Sequence, residues 1–136
     1  MNAMEKVAWT ELVVSAAAMV TAVALVPWLG NRASSAFALL VLLVCSVWFV
    51  RKRGPGVVAD ERDHVIERRA TKLGVEAAWM TMFLTLIVLG MWAHFYNEGV
   101  VEARYLTWLT WIQFAICYGV KGLIGVMSYR SQRRAA

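Results

Sequence analysis

Residues 73–95 read LGVEAAWMTMFLTLIVLGMWAHF and include a single Asp, Glu, Lys or Arg residue, Glu76, in 23 positions. An α-helix rises about 1.5 Å per residue, so about 20 mostly apolar residues cross the hydrocarbon core of a bilayer, which is about 30 Å thick. Polar and turn-forming residues follow from Tyr96 onward. We therefore predict that residues 73–95 form a transmembrane helix.

Three further stretches, residues 7–29, 33–50 and 105–128, have the same apolar character. In lipid only helices and closed barrels pair all their backbone groups, and the alternating pattern of barrel strands is missing from this sequence. The predicted fold class is therefore all-α. We expect residues 1–136 to form one transmembrane domain, an integral membrane four-helix bundle with a long loop at 51–72.

Composition supports a membrane protein. Of the 136 residues, 60% are apolar and 17% are charged, whereas soluble domains have roughly 45–50% and 25%. A soluble domain of this size buries only about two-thirds of its chain surface, which is too little to hide so much apolar material. Two cysteines, at positions 45 and 117 and at different predicted depths, do not suggest a disulfide scaffold or a redox pair.

The distribution of basic residues predicts the orientation of the chain. The N-terminal segment, the 51–72 loop and the C-terminal segment together contain eleven Lys and Arg residues, whereas the other two connections contain only Arg32 and Arg104. Because cytoplasmic loops carry the excess of basic residues, both termini and the long loop are predicted to be cytoplasmic. The net charge of +5 then indicates contact with anionic lipid headgroups, and we expect no nucleic acid partner.

The 51–72 loop contains a predicted helix start. Asp60 is a suitable N-cap, and Glu61 and Asp63 follow in the first turn, where the helix dipole favours acidic side chains. Nothing from Glu61 to Gly90 stops a helix. We expect the third helix to begin in the cytoplasm and to project about 15–20 Å below the membrane.

This segment separates its charges by sign when it is drawn as a helix. Asp60, Asp63, His64 and Glu67 fall on one side, and Arg62, Arg69 and Lys72 fall on the other. Two interpretations stay open: a solvated segment whose basic side touches lipid phosphates, or a docking surface for a partner protein or a second copy. The docking residues of the second interpretation are Asp60, Glu61, Arg62, Asp63 and Glu67.

A resemblance rests on the same segment. The run Asp60-Glu61-Arg62, followed by Ile66 and Ala70 between the second and third spans, resembles an uncharacterised family of small predicted prokaryotic four-span membrane proteins. The resemblance implies the fold, the topology and a place in the prokaryotic cytoplasmic (inner) membrane. It implies no known activity, cofactor or catalytic residue.

Three charged residues lie inside the predicted spans: Glu11, Glu76 and Lys121. A charge at the centre of a bilayer costs about 2.5–3.5 kcal/mol even on the lenient insertion scale. All three fall in the cytoplasmic third of their spans, so Lys121 is expected to pair with Glu76 or Glu11. The cluster is either a structural contact between helices or a site for a proton or a substrate.

A stripe of small residues marks one face of the fourth span. It consists of Ala115, Gly119, Gly122 and Gly125. Small side chains let helix backbones approach closely in lipid, which favours helix packing; a mobile gate beside Lys121 is the alternative.

Motifs for covalent chemistry are missing from the sequence. It has no nucleophile elbow, phosphate-binding loop or H-E-x-x-H motif, and His94 with nearby glutamates is a poor metal site. We expect no enzymatic activity, no metal and no cofactor.

Two hypotheses for function follow. The first is a non-enzymatic accessory subunit or regulator that acts through the charged cytoplasmic helix, as a homo-oligomer or with a membrane partner protein. The second is a dimeric proton-coupled transporter that uses Glu11, since the chain is similar in size and first-span acid to small multidrug resistance transporters. Those transporters have shorter loops and a deeper essential acid.

Overall fold

The computed structural model describes residues 3–44 and 61–135, with side chains through residue 132. These residues form helix α1 (Ala3–Leu29), a 3-10 helix (Gly30–Leu43), helix α2 (Glu61–Tyr96) and helix α3 (Ala103–Ala135). They include no β-strand. The all-α prediction is confirmed, and three helical stretches are long and apolar enough to cross a membrane: Ala3–Leu43, Glu61–Tyr96 and Ala103–Gln132.

The chain reverses direction at Gly30. Helix α1 ends at Leu29, and Gly30 has a φ of +53°, a left-handed conformation that glycine adopts without steric cost. The 3-10 helix that follows then packs back against α1. The first and second apolar stretches therefore lie side by side.

The second apolar stretch differs from the expected α-helix. Residues 30–43 form a 3-10 helix of 14 residues, although such helices are usually only three or four residues long. Its buried residues, Ala33, Ala36, Phe37 and Leu40, all belong to one face, with the i, i+3, i+4, i+7 spacing of an amphipathic helix. Residues 45–50 of the predicted span lie outside the described residues.

A small apolar core joins α1, the 3-10 helix and α3. Its central side chain is Phe37, which is 1% exposed and lies edge-on to Trp108 with ring centroids 5.8 Å apart. The indole Nε1 of Trp108 donates a hydrogen bond to Asn31 Oδ1 at 2.7 Å. The other members of the core are alanines and one leucine, namely Ala18, Ala22, Ala36, Leu40 and Ala115.

Helix α3 is the central element, since it contacts α1, α2 and the 3-10 helix. Helix α2 ends at Tyr96, and the amides of Asn97 and Gly99 both donate to the Ala93 carbonyl oxygen. Gly99 has a φ of +79°, so the chain turns sharply and α3 returns antiparallel against α2.

Helix α2 runs without a break over 36 residues, or about 54 Å at about 1.5 Å per residue. It starts at Glu61, and the predicted N-cap Asp60 lies outside the described residues. Only 6% of its most apolar window is buried inside the chain. Several of its large apolar side chains, among them Trp79, Met80 and Phe83, are exposed at the surface of the chain.

Candidate functional site: a charge cluster between three helices

The central contact of the site is an ion pair between α3 and α1. Lys121 Nζ donates to Glu11 Oε1 at 2.8 Å, and the side chains of Lys121 and Glu11 are 18% and 7% exposed. Glu11 belongs to a buried stripe of α1 with helical spacing, which also includes Ala8, Ser15, Ala18 and Ala22. Its carboxylate therefore faces α3 because its helix face does.

A second carboxylate shares the same ammonium. Glu67 Oε1 of α2 lies 3.9 Å from Lys121 Nζ, with its side chain 42% exposed. Lys121 thus stands between Glu11 of α1 and Glu67 of α2. The contact with Glu67 is the longer and wetter of the two, so it contributes less than the pair with Glu11.

One turn before Glu67, another polar contact joins α2 to α3. Tyr129 Oη donates to Asp63 Oδ1 at 3.0 Å, and Asp63 is 5% exposed. On the other side of α3, the Arg130 guanidinium lies over the Trp9 ring, 5.1 Å from its centroid, a favourable cation–π geometry. The end of α3 is therefore fixed to both neighbouring helices.

A small cavity of about 20 Å³ lies inside the cluster, lined by Glu11, Glu67, Lys121 and Tyr129 among others. It offers room for about one water molecule. Among the described residues, no three His, Cys, Asp or Glu side chains gather as metal ligands. In this conformation the cluster suits a structural contact or a bound water, not a larger substrate.

Glu76 is not part of the cluster. Its side chain is 54% exposed and lies 3.7 Å from Lys72, one turn earlier on α2. Of the two expected partners of Lys121, the structure places Glu11 there and adds Glu67. Nine residues separate Glu67 from Glu76, so the two side chains lie about 180° apart around the helix. The depth of a carboxylate in its span is therefore not enough to identify the partner of Lys121; the helix face also matters.

The expected docking residues are divided by the structure. Asp63 and Glu67 turn toward α3, whereas Glu61 and Arg62 are exposed and Asp60 lies outside the described residues. Ile66 and Ala70 are buried against the bundle. The acidic side chains next to them on the helix surface therefore also face α3. The exposed side of this segment is the basic one, formed by Arg62, Arg68, Arg69 and Lys72.

The small-residue stripe of α3 faces α1. A Cβ atom added at Gly122 would lie 2.5 Å from the Leu12 backbone nitrogen and 2.8 Å from the Ala8 carbonyl oxygen. One added at Gly125 would lie 2.8 Å from Ala8 Cβ, and one at Gly119 would lie 3.5 Å from Ser15 Cβ. Close backbone approach at Gly122 is what brings Lys121 within reach of Glu11.

Sequence reasoning missed three polar residues that join the helices: Glu67 as a partner of Lys121, Tyr129 and Gln113. The Gln113 amide of α3 lies against the backbone of α2. In the amide orientation that satisfies both groups, it donates to the Ala78 carbonyl oxygen and accepts from the Met82 amide at 3.1 Å. A signal existed for Tyr129, which follows Gly122 by seven residues and so shares its helix face. None existed for the choice of backbone partners by Gln113.

Long helices with lipid-accessible apolar sides, joined by internal polar contacts, define a helical integral membrane protein. The chain belongs to the predicted membrane protein family DUF2178, whose model matches residues 5–128. This match confirms the coarser part of the resemblance seen in the sequence, a family of predicted membrane proteins. No curated protein and no solved structure matches the chain.

Proposed function

We propose that the protein is a non-enzymatic accessory subunit or regulator in a prokaryotic cytoplasmic membrane. The observation that carries this proposal is the anchoring of the hydrophilic segment 61–72, whose Asp63 and Glu67 contact α3 while its basic side stays exposed. A segment held in this way presents a fixed charged surface, which is what a regulatory contact with a membrane partner or a second copy requires.

The proposal includes four spans with both termini in the cytoplasm. The stretch Ala3–Leu43 reverses direction at Gly30, so its two halves would cross the membrane separately. At about 2.0 Å per residue, the 14 residues of the 3-10 helix extend about 28 Å, close to the thickness of a bilayer core. This length supports a second span despite the small number of residues.

The contacts between helices also suggest where the membrane surface lies. Gly74 of α2 lies level with Lys121 of α3, and Glu67 and Ile66 lie level with Gly125 and Val7 around the small cavity. Residues 3–11, 61–72 and 121–132 are therefore neighbours. We infer that they form a three-helix projection at the cytoplasmic surface, named the stub here, with Glu11 and Lys121 at its base.

The transporter hypothesis keeps one observation in its favour, a buried carboxylate in the first span. Against it, the Lys121 ammonium already occupies the position that a cationic substrate would take beside Glu11. The cavity of about 20 Å³ is also too small for such a substrate. Transport would require the α1–α3 contact to open, so this function is the second candidate.

Charge reversal on the stub tests the accessory role. In full-length tagged protein solubilised from native membranes, R62E/R69E should remove the specific partner or the self-association seen with the wild type. R32E/R104E carries the same change at the other end of the bundle and is the control. Identical assemblies for both double variants would contradict a docking role for the stub.

The transporter alternative has its own readout. Proton-driven uptake of a lipophilic cation into proteoliposomes is compared for the wild type and E11Q. If uptake by the wild type exceeds that of empty liposomes and is lost in E11Q, the protein is a transporter and the accessory role is contradicted.

A further inference from the structure

A groove between α2 and α3 opens on the lipid-facing side of the bundle. It has a volume of about 320 Å³ and is lined by Val75, Ala78, Trp79, Met82, Gln113, Phe114, Cys117 and Tyr118. The Trp79 ring, 63% exposed, forms one wall, and the stacked rings of Phe114 and Tyr118 form the other. The groove is therefore an open apolar cleft between aromatic side chains.

The one amide in this lining is already bonded. In the orientation that satisfies both of its groups, the Gln113 amide is hydrogen-bonded to the backbone of α2 at Ala78 and Met82. The groove thus presents mainly carbon atoms, which suits a flexible hydrocarbon chain rather than a polar ligand. From Val75 to Met82 it follows α2 for about 10 Å, at about 1.5 Å per residue.

Basic residues continue the same stripe of α2 beyond the groove. Lys72 and Arg68 precede Val75 by three and seven residues, so at about 100° per residue both lie on the helix face that lines the groove. Both side chains are exposed. They are also at the polar end of the apolar stretch that starts at Leu73, where lipid phosphates lie.

We propose that this groove binds one anionic phospholipid, with an acyl chain between Trp79 and Phe114 and the phosphate at Arg68 and Lys72. The apolar groove and the basic residues supply the two halves of such a lipid in the right order along one helix face. A zwitterionic lipid would find the same groove but gain no net attraction from Arg68 and Lys72, of which Lys72 also pairs with Glu76 at 3.7 Å. The site does not depend on which side of the membrane the stub occupies.

The experiment is native mass spectrometry of the full chain in detergent, titrated with phosphatidylglycerol or with phosphatidylcholine of the same acyl chains. We expect one phosphatidylglycerol to remain bound at collision energies that remove phosphatidylcholine. R68Q/K72Q should lower the affinity for phosphatidylglycerol by up to roughly 30-fold, because each basic residue near the surface contributes about fivefold. R62Q/R69Q removes two cations that are also exposed, from the other side of the segment, and should change the affinity less than threefold.

A second pair of variants tests the groove itself. Val75 and Val88 are both exposed valines of α2, but only Val75 lines the groove. V75W should lower phosphatidylglycerol affinity by about tenfold by filling the acyl-chain position, and V88W should leave it unchanged. Because both side chains are at the surface, neither variant threatens folding.

Three results would overturn the proposal. Equal losses in R68Q/K72Q and R62Q/R69Q would indicate a diffuse layer of headgroups instead of a site. Equal affinities of V75W and V88W would place the acyl chain elsewhere. A change of oligomeric state in V75W with lipid binding intact would mean that a second copy of the chain occupies the groove.

Discussion

Lys121 is the residue on which the contacts of three helices converge. Its ammonium lies 2.8 Å from Glu11 of α1 and 3.9 Å from Glu67 of α2. A buried ion pair adds little net stability compared with apolar residues of the same shape, yet removing one partner leaves the other charge buried and uncompensated. The pair therefore fixes which helix faces meet more than it stabilises them.

Replacing Lys121 with methionine should destabilise the fold by about 3–5 kcal/mol, because Glu11 would keep its burial and lose its cation. The double variant E11Q/K121M should recover most of that loss. Reversible unfolding in mixed micelles of detergent and SDS, followed by circular dichroism, measures both. The matched control is K72M, whose lysine pairs with exposed Glu76 and should change stability by less than about 0.5 kcal/mol.

With E11Q measured in the same assay, a loss in E11Q/K121M as large as the sum of the E11Q and K121M losses would contradict this account. It would show that Glu11 and Lys121 do not interact in the folded protein.

Tyr129 anchors the first turns of α2 through its hydrogen bond to buried Asp63. Y129F removes this donor and should cost about 1–3 kcal/mol locally, since the carboxylate remains buried. Amide hydrogen exchange of residues 61–67 should then become faster by tenfold or more, while residues 80–90 should be unaffected. Y118F removes a hydroxyl from a ring that stacks on Phe114 and is the control; equal exchange in both variants would exclude the anchor.

At the scale of elements, the close contact between α1 and α3 depends on glycine residues of α3, which have no side chain to separate the two helices. Gly122 lies against the backbone of α1, whereas a Cβ added at Gly90 in α2 would meet nothing within 4 Å. The substitution glycine to alanine can therefore be compared at two helical positions with opposite surroundings. Only the first position should respond through packing.

We expect G122A to destabilise the fold by about 1–3 kcal/mol, because α1 must move away from α3. G90A should be neutral or stabilising by up to about 1 kcal/mol, because alanine is the better helix former. The same unfolding assay in micelles measures both. A destabilisation by G90A equal to that of G122A would mean that flexibility, not close packing, explains the glycines.

Helix identity could be predicted from the sequence because apolar blocks and charge positions decide it locally. Face-to-face pairing could be predicted only in part. Glu67 lies just before the third apolar stretch and Glu76 lies just inside it. Only the burial of Ile66, Ala70 and Gly74 shows that Glu67 is the one that faces α3. The 3-10 conformation of residues 30–43 could not be predicted, since its apolar residues follow the same spacing as those of an α-helix.

The whole molecule has two chemically different ends. One end carries Glu11, Lys121, Asp63 and Tyr129 in contacts that bury charge, and the other carries Trp108 bonded to Asn31. The contacts of α2 place its polar segment beside residues 121–129 of α3, most of which belong to the predicted apolar stretch 105–128. The four apolar stretches therefore do not all end at the same depth.

Two positions of the membrane surface are compatible with this stagger. If the surface lies at the end of the apolar stretch 105–128, the charges of residues 61–72 are immersed in the hydrocarbon core. If it lies near Lys121 and Leu73, those charges stay in water or at headgroups, and a few apolar residues at the end of α3 are exposed instead. Residues 61–72 include seven Asp, Glu, Lys and Arg residues, and each immersed charge costs about 2.5–3.5 kcal/mol. Each of the fewer exposed methionine or leucine side chains costs at most about 1.5–3 kcal/mol, so the second position is favoured.

This position predicts the reactivity of cysteines on a background in which Cys45 and Cys117 are replaced by serine. Met127 and Val88 are both exposed in the fold, at 58% and 65%. In unsealed proteoliposomes, M127C should react with a charged, water-soluble maleimide at least tenfold faster than V88C, because the thiolate that reacts does not form in hydrocarbon. The proposed orientation puts the stub in the cytoplasm and the α2–α3 turn outside. In intact cells it therefore predicts that M127C is protected from the same reagent and that E98C is labelled. Equal protection of M127C and V88C in proteoliposomes would show that residue 127 lies inside the membrane. Labelling of M127C in intact cells would show that the chain has the opposite orientation.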